Sequence, residues 1–532
     1  MRVTNQMMTT NMLNNINRNK INVDTTGYQY STQNKIENPS DDPVVAVRSL
    51  KFRTQITEIA QYLDKNIKDA KSWMSVTEDA MKEMNKVLET MSTYCTQGAT
   101  DTLETQDRNN IIETLNQFKK QIYEQGNSDY AGRYLFTGFR TDEPLLFDNN
   151  SLKEQKINNT LYTIKENLSF GSINNKSFVK GGAAYVAGTP GDDYAKNAPT
   201  VESANRLQLS YTNLDKGPDN KVNAGGKDFV RKAGLQEITF TNPLNKAEKI
   251  TLPDGGASGY TLKTVSSSEG TQGSCYTPGD KEIIFVPETG ELIFGKEAYS
   301  MAQKHSDFQV EYTKSEFAED DIAPEHYFEC SESNIVINTG GAGFKEEKIQ
   351  YTTPEKQKID YEINFSQKLT VNTLAKDALS TTVGTKIEEI IRNVKDVFQM
   401  EDKISEVKKL ITTSTDEVEK ANLKELQNQL ETEQTLKKTI LRQGFSSGMT
   451  MAKEAQSTLN VALANHGSRS LRLDLTESRL ENQKVSFTKL LSENDKVDLE
   501  DSVINYKQAQ VIYEASLSCA STVVSKTLLD YL

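Results

Sequence analysis

The chain has 532 residues and a formal net charge of −13. This charge, and the dispersal of its Lys and Arg residues among carboxylates, argue against a nucleic-acid-binding protein, because such proteins carry basic patches that release counterions. A mean hydropathy of −0.62, without any apolar run approaching about 20 residues, excludes a membrane-spanning helix.

The first residues predict an amphipathic helix. Four apolar residues fall at spacings that place them on one helix face: Met8, Met12, Ile16 and Val23. Asparagines between them lower the intrinsic helix propensity, so we expect this helix to form only against a partner. A continuous apolar stretch of the signal-peptide kind is missing, so we expect secretion, if it occurs, without a cleavable signal peptide.

A strong helix start follows at Pro39–Pro43. Pro43 suits the first helical position, and Asp42, which the following proline excludes from the α region, can cap the helix. An apolar stripe then continues at heptad-like spacing to about Cys95, which predicts a helix roughly 80 Å long at 1.5 Å per residue. A second helix is predicted to end near Gly126.

After Gly126 the sequence becomes glycine-punctuated and strand-rich. The segment Tyr130–Arg140 is interpreted as a short strand with a bend. Further strands are predicted at 238–240, 283–286, 292–294, 308–312, 361–365 and 368–371, with a hairpin loop at 287–290. Segments 180–192 and 214–227, rich in Gly and Asp, are predicted surface loops. The cysteine spacing gives no support for a disulfide, including one between Cys275 and Cys330.

From Lys386 onward, helical periodicity dominates. Helices are predicted at 388–411, 416–443 and 449–491, with a break at 494–495 before a last helix. The charged stretch 400–443 fits either a straight extension or a folded hairpin. In the last helix, Cys519 is expected to be a small buried hydrophobe. A seam there steps by three and four residues and is interrupted only by the polar Gln510 and Thr527. The apolar seam residues, to which Leu528 beside Thr527 is added, are Val503, Tyr506, Tyr513, Leu517, Ala520, Val524, Leu528 and Tyr531. We expect this seam to pack against the first helix or against another subunit.

Motifs for catalysis and metal binding are weak in this sequence. Gly444–Gly448 matches G-x-S-x-G with Ser446 at the nucleophile position, but a nucleophile elbow needs a preceding strand, and we predict a helix–helix turn. The three histidines, His305, His326 and His466, lack metal-ligand spacing and are expected at the surface or in loops. The glycines of 340–343 are interpreted as a hairpin turn. We therefore expect no catalytic residue, no metal and no cofactor.

Several separated motifs resemble the flagellin-type axial proteins of bacterial flagella, and among them the hook–filament junction type. The motifs near the start are Pro39, Asp41, Asp42 and Pro43, followed by Gly132, Arg133, Tyr134, Phe136 and Gly138. Others lie near the end, at 515–517 and 528–532. The resemblance covers residues 1–150 and 386–532, whereas the segments 150–385 and 400–443 exceed what the simplest members of that family imply.

Together, the periodicity and the resemblance imply an α+β fold. Both chain ends are expected to form a long antiparallel helical bundle or coiled coil, with a mainly β central insertion domain. The expected domains are an inner terminal coiled coil (1–42 and 495–532), a long helical bundle with a short β element (43–150 and 365–494), and a β outer domain (151–364).

The resemblance implies a structural, non-enzymatic component of the extracellular bacterial flagellum that joins the hook to the filament. The implied partners are copies of itself, the neighbouring hook-associated protein and flagellin. A flagellar chaperone and the type III export apparatus are also implied, because this family is exported unfolded. The resemblance implies no contact with nucleic acid and no insertion into a membrane. Two alternatives are flagellin itself, the bulk filament subunit, and an adhesin-like surface module displayed by the β domain.

Overall fold

The computed structural model describes residues 5–100, 103, 105–182, 199–217, 219–224, 227–245, 248–253, 255–267, 274–337 and 344–524. Within them the fold is α+β, as predicted, with long helices toward both ends and a β-rich middle. The helices are α1 (Asn5–Thr32), α2 (Pro43–Gln61), α3 (Lys68–Gly98), α4 (Thr105–Gly126), α5 (Asn149–Asn158), α6 (Lys296–Lys304), α7 (Ala375–Ala378), α8 (Thr382–Thr413), α9 (Glu417–Asp495) and α10 (Leu499–Val524). A π-helical turn, Tyr62–Ile67, joins α2 to α3.

The strands of the described residues lie mainly in two sheets. They are β1 (Asp129–Tyr130), β2 (Arg133–Tyr134), β3 (Leu161–Ser169), β4 (Ile173–Lys180), β5 (Thr200–Gln208), β6 (Asp219–Ala224), β7 (Lys227–Lys232), β8 (Leu235–Thr241), β9 (Lys249–Leu252), β10 (Thr261–Thr264), β11 (Glu282–Val286), β12 (Glu291–Phe294), β13 (Asp307–Lys314), β14 (Glu329–Ile337), β15 (Phe344–Gln350), β16 (Asp360–Asn364) and β17 (Gln367–Thr370). A five-stranded sheet has the order β10-β11-β12-β5-β4, and a six-stranded sheet has the order β15-β14-β3-β13-β8-β9. The pairs β1-β2, β6-β7 and β16-β17 form two-stranded ribbons.

The chain divides into two compact units, which are described separately. The terminal unit comprises residues 1–71, 361–369 and 470–532. The central unit comprises residues 72–360 and 370–469. The three-domain division expected from the sequence stays a prediction.

In the terminal unit, α2 packs beside the end of α9. The rings of Phe52 and Phe487 have centroids 6.2 Å apart. The Asp495 carboxylate accepts from the Ser49 hydroxyl and from Arg53 Nη2, the latter at 3.0 Å. Asn494 Nδ2 donates to the Val45 carbonyl at 3.0 Å. Helix α9 therefore ends against α2 through specific polar contacts, at the break that was predicted at 494–495.

The predicted cap of α2 is confirmed. Asp42 has extended backbone angles (φ −145°, ψ 97°), and its carboxylate accepts from the backbone N–H groups of Val44 and Val45 at 2.9 and 3.2 Å. Asp41 performs a second task, because its carboxylate accepts from the backbone N–H groups of Glu37 and Asn38. One aspartate thus caps the helix while its neighbour holds the preceding turn.

In the central unit, the two large sheets face each other across one apolar core. Ile164, Phe240 and Tyr312 of the six-stranded sheet and Leu207 and Phe285 of the five-stranded sheet belong to the same buried cluster. The outer face of the five-stranded sheet is also covered, with buried Ile284, Val286 and Ile293. Because both faces of β11 are covered, its sequence is an unbroken apolar run rather than an alternating one.

The helices of the central unit carry the stripe predicted from the heptad-like pattern. Met74, Met81, Met84, Leu88 and Met91 of α3 are all buried. The stretch 400–443 is a hairpin, which decides between the two alternatives that the sequence left open. Its helices turn at Ser414–Asp416 and pack through Met400, Ile404, Val407, Leu426 and Leu430.

The predicted turn at Gly444–Gly448 is wrong, because α9 continues through it. A Cβ on Gly448 would lie 2.7 Å from Ile390 Cδ1 and 3.2 Å from Cys95 Sγ. A Cβ on Gly444 would lie 3.0 Å from Asn393 Nδ2. These glycines are small because neighbouring side chains approach the helix closely, and they do not interrupt it.

The prediction of surface or loop histidines holds only for the loop position of His305, between α6 and β13. His305, His326 and His466 are all buried. A ring nitrogen of each lies within 3.2 Å of a backbone carbonyl oxygen, that of Met301, Pro144 and Met74 respectively. A buried imidazole is tolerated here because it has a hydrogen-bonding partner inside the protein.

Three smaller predictions need correction. The segment 214–227 contains β6 and the start of β7, which pair as a hairpin, so it is not only loop. Tyr130–Arg140 is not one strand but the hairpin β1-β2, which turns at Ala131 and Gly132, both at positive φ. Cys519 is exposed rather than buried. Cys275 and Cys330 are free buried thiols, and residues 183–192 and 338–343 lie outside the described residues.

Candidate assembly surface of the terminal helices

The first and last helices, α1 and α10, run antiparallel as a pair, which we call the terminal pair. A short stretch of β-like pairing anchors one end of it, where Asn34 and Lys496 form an antiparallel bridge. The Lys35 backbone N–H donates to the Asp495 carbonyl at 2.8 Å, and that of Val497 donates to the Gln33 carbonyl at 3.0 Å. Main-chain hydrogen bonds, which do not depend on the side chains, thus hold the two chain ends together at this point.

Side-chain contacts then extend along the terminal pair. The rings of Tyr30 and Tyr506 stack with centroids 5.7 Å apart and planes within 8° of parallel. A Cβ on Gly27 would lie 3.2 Å from Tyr506 Cε2, so the glycine lets this ring approach the backbone of α1. Further along, Asn19 Nδ2 donates to Ser516 Oγ at 2.5 Å. The expected pairing of the first helix with the last is confirmed.

The seam residues are only partly covered by this pairing. Met12, Ile16, Val23, Val503, Tyr506, Tyr513 and Ala520 are half-buried, while Met8 and Leu517 are exposed. The side chain of Val524, and Leu528 and Tyr531, lie outside the described residues. Among the described side chains of the two helices, Ser502 alone reaches full burial. A pair of helices buries only the strip between them, and side chains beside that strip stay partly exposed unless a further layer covers them.

A second apolar face points away from the contact between the two helices. On α1 it contains Met7, Leu13 and Ile21, with Leu13 56% and Ile21 64% exposed. On α10 it contains Ile504, Val511 and Ile512, with Val511 63% exposed. The seam pattern missed most of these residues, because it marks the side chains that face one partner helix and not those on the opposite side.

The terminal pair is also poor in charge. Helix α1 carries Arg18, Lys20 and Asp24 as its charged residues, and α10 between Val503 and Ser521 carries Lys507 and Glu514. Most remaining exposed positions are Asn, Gln, Ser or Thr. Depletion of charge around apolar side chains is typical of the core of a protein–protein interface.

The second group of motif residues, at 132–138, lies in the central unit and has packing roles. Gly132 and Gly138 adopt positive φ, and a Cβ on Gly138 would collide with Gln357 Oε1. Arg133 lies with its guanidinium carbon 4.9 Å from the centre of the Trp73 ring. Phe136 is buried, and Tyr134 is half-buried with its backbone N–H donating to the Thr141 carbonyl at 2.8 Å.

In the first group of motif residues, the prolines Pro39 and Pro43 are exposed beside the two aspartates described above. All four lie in the terminal unit, so no shared site between the two groups is assigned. They set the local geometry of a turn and of a helix start.

Catalytic and metal chemistry find no support at the positions the sequence singled out. Ser446 lies in the middle of α9, exposed, and not at a strand-to-helix turn. In the described part of the chain, no group of three or more His, Cys, Asp or Glu side chains is arranged to hold a metal ion. Over the same residues, no helix combines the length and apolar character needed to cross a bilayer.

Comparison with known proteins bears on the part of the chain that supplies α1 and its neighbours. Residues 3–141 match the family model of the bacterial flagellin N-terminal helical region. This segment is similar to the N-terminal helical region of bacterial flagellins, and we call it the flagellin-type region. It contains α1 to α4, the hairpin β1-β2 and both groups of motif residues.

Two curated proteins with different names are similar to part of this chain. Flagellar hook-associated protein 3 of Salmonella typhimurium is 27% identical over 144 residues, 27% of this chain and 45% of that protein. Flagellin of Clostridium tyrobutyricum is 30% identical over 120 residues, 23% of this chain and 32% of that protein. The chain thus spans less than half the length of each relative, and its expected resemblance to hook-associated protein 3 is confirmed.

A solved structure of Xanthomonas campestris FlgL matches over 82% of this chain and 97% of that chain, with 12% identity and a TM-score of 0.29. The similarity to flagellar proteins rests on the sequence matches and not on this superposition.

Proposed function

We propose that this chain is a structural subunit of the bacterial flagellum that joins the hook to the filament, and that it assembles through the terminal pair. The flagellin-type N-terminal region and the similarity to hook-associated protein 3 support the placement in the flagellum. The incompletely covered terminal pair supports assembly as the role of the chain ends. Extracellular location at the hook–filament junction belongs to the same proposal.

The observation that carries the proposal is the apolar face of the terminal pair. Val511 and Ile21 are each more than three-fifths exposed to solvent. The helices that carry them have few charged side chains, which would otherwise favour an exposed surface. Burial of such a face in an assembled structure contributes a favourable free energy of roughly 25 cal/mol per Å² of apolar surface. The loss of conformational entropy when the helices become ordered opposes it. Assembly is then the step that completes the fold of the chain ends.

The same geometry supports the choice of partners. Neighbouring copies of this chain, the adjacent hook-associated protein and flagellin would each offer helices to cover the exposed face. The seam residues are the contact residues of this proposal, including Met8, Leu517 and those outside the described part of the chain. Before assembly, an export chaperone that covers α10 and passage through the type III export apparatus as an unfolded chain would protect the same surface from aggregation.

Removal of residues 495–532 tests the proposal directly. Cells that lack the full-length protein should carry hooks without filaments in electron micrographs, and the truncated chain should not restore them. The purified truncated chain should keep the folded central unit, because Trp73 and the β core lie in residues 72–360. Normal filaments in cells that produce only the truncated chain would contradict the proposal.

A substitution pair on α10 gives a sharper test. Val511→Asp places a charge in the exposed apolar face and should prevent filament attachment. Ser518→Asp adds the same charge on an exposed position one turn from Glu514, and filaments should form normally. Equal loss of filaments in both variants would indicate a general defect of α10 and not a specific interface.

The flagellin relative supports a second candidate, a bulk filament subunit, which would use the same terminal helices. The two candidates differ in what the mutant cells release. Cells lacking a junction subunit should shed monomeric filament protein into the medium, because that protein has nothing to attach to. Cells lacking the bulk filament subunit should shed none, and this result would replace the first candidate by the second.

A further inference from the structure

A polar cleft lies in the central unit between the outer face of the five-stranded sheet and helices α8 and α9. One part has a volume of about 410 Å³ and is bordered by β4, β5, α8 and α9. An adjoining part of about 540 Å³ continues along α8. Both parts are lined by Lys176, Ser177, Glu389, Asn393 and Ile440, so they adjoin each other. We call it the basic cleft.

The floor of the basic cleft is a buried ion cluster. Lys176 Nζ and Arg206 Nη1 donate to the Glu291 carboxylate at 2.7 and 2.9 Å. Arg206 Nη1 also donates to Glu389 Oε1 at 2.9 Å, and Lys386 Nζ donates to Glu389 Oε2 at 2.7 Å. Burial opposes ionisation of Glu291, but Lys176 and Arg206 outweigh it and hold its pKa at about 2. Three cations thus face two carboxylates in a buried setting, which leaves one positive charge uncompensated within the cluster.

One edge of the Arg206 guanidinium has no partner for its Nε–H. Arg206 is 5% exposed, and a single nitrogen, Nη1, makes both of its described carboxylate contacts. Its buried Nε has no hydrogen-bond partner among the described residues. The same holds for Nη2 of Arg392, which lines the adjoining part. An unpaired guanidinium N–H in a buried position is costly, and a bidentate anion is the group that its planar edge fits.

The lining of the basic cleft differs in charge from the whole protein. Seven Lys or Arg side chains and three Asp or Glu side chains line its two parts. Behind this lining, Glu291 pairs with Lys176 and Arg206, and Glu433 pairs with Lys437. Positive side chains still outnumber negative ones there, whereas the chain as a whole carries a net charge of −13. Cations concentrated in a concave site attract anions even when the protein is acidic overall.

Uncharged polar side chains complete the lining. The amides of Asn175, Asn393 and Gln443 face the same space as the hydroxyls of Ser177 and Thr450. Amides and hydroxyls both donate and accept hydrogen bonds, as sugar hydroxyl groups do.

We propose that the basic cleft binds an acidic sugar, with its carboxylate on the free guanidinium edge of Arg206 and its hydroxyls on the surrounding amides. A carboxylate supplies the missing negative charge, and the hydroxyls match the amide-rich walls. This site lies outside the terminal pair and is independent of the proposed assembly role. Binding of glycans would then be a second role of this subunit, beside its structural role.

Calorimetric titration of the full-length protein tests the proposal with glucuronate, with glucose as a sugar of similar size without the carboxylate, and with inorganic phosphate as an anion without the sugar. We expect saturable binding of glucuronate at a stoichiometry of one, and at least about tenfold weaker binding of glucose, which lacks the carboxylate. Absence of glucuronate binding, or equal binding of glucose, overturns the proposal. Phosphate binding as tight as that of glucuronate overturns the assignment to a sugar.

Two variants locate the binding. Arg206→Lys keeps a cation beside Glu291 and Glu389 but removes the planar edge, so glucuronate binding should weaken about tenfold or more. Arg392→Gln removes the other guanidinium that has an unpartnered N–H group and leaves the ion cluster unchanged. It serves if the first variant does not fold. Arg472→Gln, at an exposed arginine outside the cleft, is the control and should bind as the unaltered protein does. Unchanged binding in both cleft variants overturns the proposal.

Discussion

The central unit and the terminal pair use similar amphipathic patterns with different outcomes. In the central unit, the stripe of α3 is fully buried, as are Ile164, Phe240 and Tyr312 between the sheets. In the terminal pair, residues at equivalent heptad spacing stay half-buried, and a second apolar face is open. The difference lies in the number of layers that the chain supplies. An apolar stripe becomes a core where another layer of the same chain covers it, and an interface where none does.

Truncation of a buried side chain in the central unit should have the largest effect on the stability of the isolated chain. Phe240→Ala should lower the free energy of unfolding by about 3–5 kcal/mol, because Phe240 is fully enclosed between the two sheets. Urea denaturation followed by the fluorescence of the buried Trp73 measures this. Phe139→Ala, at a largely exposed ring of the same unit, is the control and should change it by less than about 0.5 kcal/mol. Similar losses in both variants would mean that the core is looser than the structure shows.

The pH dependence of the central unit provides the next test, at two adjacent buried groups. Burial, with a smaller contribution from Arg140, lowers the pKa of His326 to about 4. Burial raises the pKa of Glu325 to about 7, although Arg140 partly offsets this. As pH falls from 6.5 to 4, the unfolded histidine binds a proton that the folded one does not, so stability falls. As pH falls from 7 to 4.5, the folded glutamate binds a proton first, so stability rises.

The two contributions oppose each other, and removal of one should reveal the other. Relative to the unaltered protein, Glu325→Gln should lose about 3 kcal/mol more stability when pH is lowered from 7 to 4.5. His326→Gln should change in the opposite direction between pH 6.5 and 4. Denaturation curves at pH 7, 5.5 and 4.5 measure both. Parallel pH profiles for all three proteins would show that these groups are solvated, and that burial in the central unit is less complete than we describe.

Features determined by neighbours in sequence were predictable, and those determined by neighbours in space were not. The Asp42 cap, the helical stripe from Pro43 and the pairing of the chain ends follow from local residue types and spacing. The prediction at Gly444 and Gly448 was wrong because the sequence does not distinguish two kinds of glycine. One ends a helix, and the other lies inside a helix where a side chain such as Ile390 or Asn393 packs closely against it. The histidines were misplaced because their carbonyl partners, such as that of Met74 for His466, come from distant segments.

For the candidate site, the seam on α10 was predictable, but the open face was not. Heptad spacing identifies which residues face a partner and does not show how many partners are needed. Met7, Ile21 and Val511 can be assigned to an interface only once the structure shows that α1 and α10 form a pair that no further layer covers on this side. The ion cluster around Arg206 was equally hidden, because its members come from three strands and a helix that are far apart in sequence.

Two glycines of α9 test how closely the central unit is packed. Gly448→Ala should destabilise the protein by about 1–3 kcal/mol, because its Cβ would lie 2.7 Å from Ile390 Cδ1. Gly467→Ala is the matched control in the same helix, since nothing lies within 4 Å of its Cβ. It should stabilise the protein by about 0.5–1 kcal/mol, as alanine does in a helix interior. Equal effects of the two substitutions, measured by urea denaturation, would contradict close packing around Gly448.

The smallest effect on the isolated chain is expected at the open face of the terminal pair. Val511→Ala should change the local stability of α10, measured by amide hydrogen exchange of the monomer, by less than about 0.5 kcal/mol, because the side chain is 63% exposed. Tyr506→Ala, on the same helix but stacked on Tyr30, should cost about 0.5–1.5 kcal/mol. A larger loss at Val511 than at Tyr506 would show that the monomer already covers this face. If Val511→Ala leaves the stability of α10 unchanged and cells with Val511→Asp attach no filaments, Val511 is needed only in the assembled structure. Tyr506, in contrast, would stabilise the monomer itself.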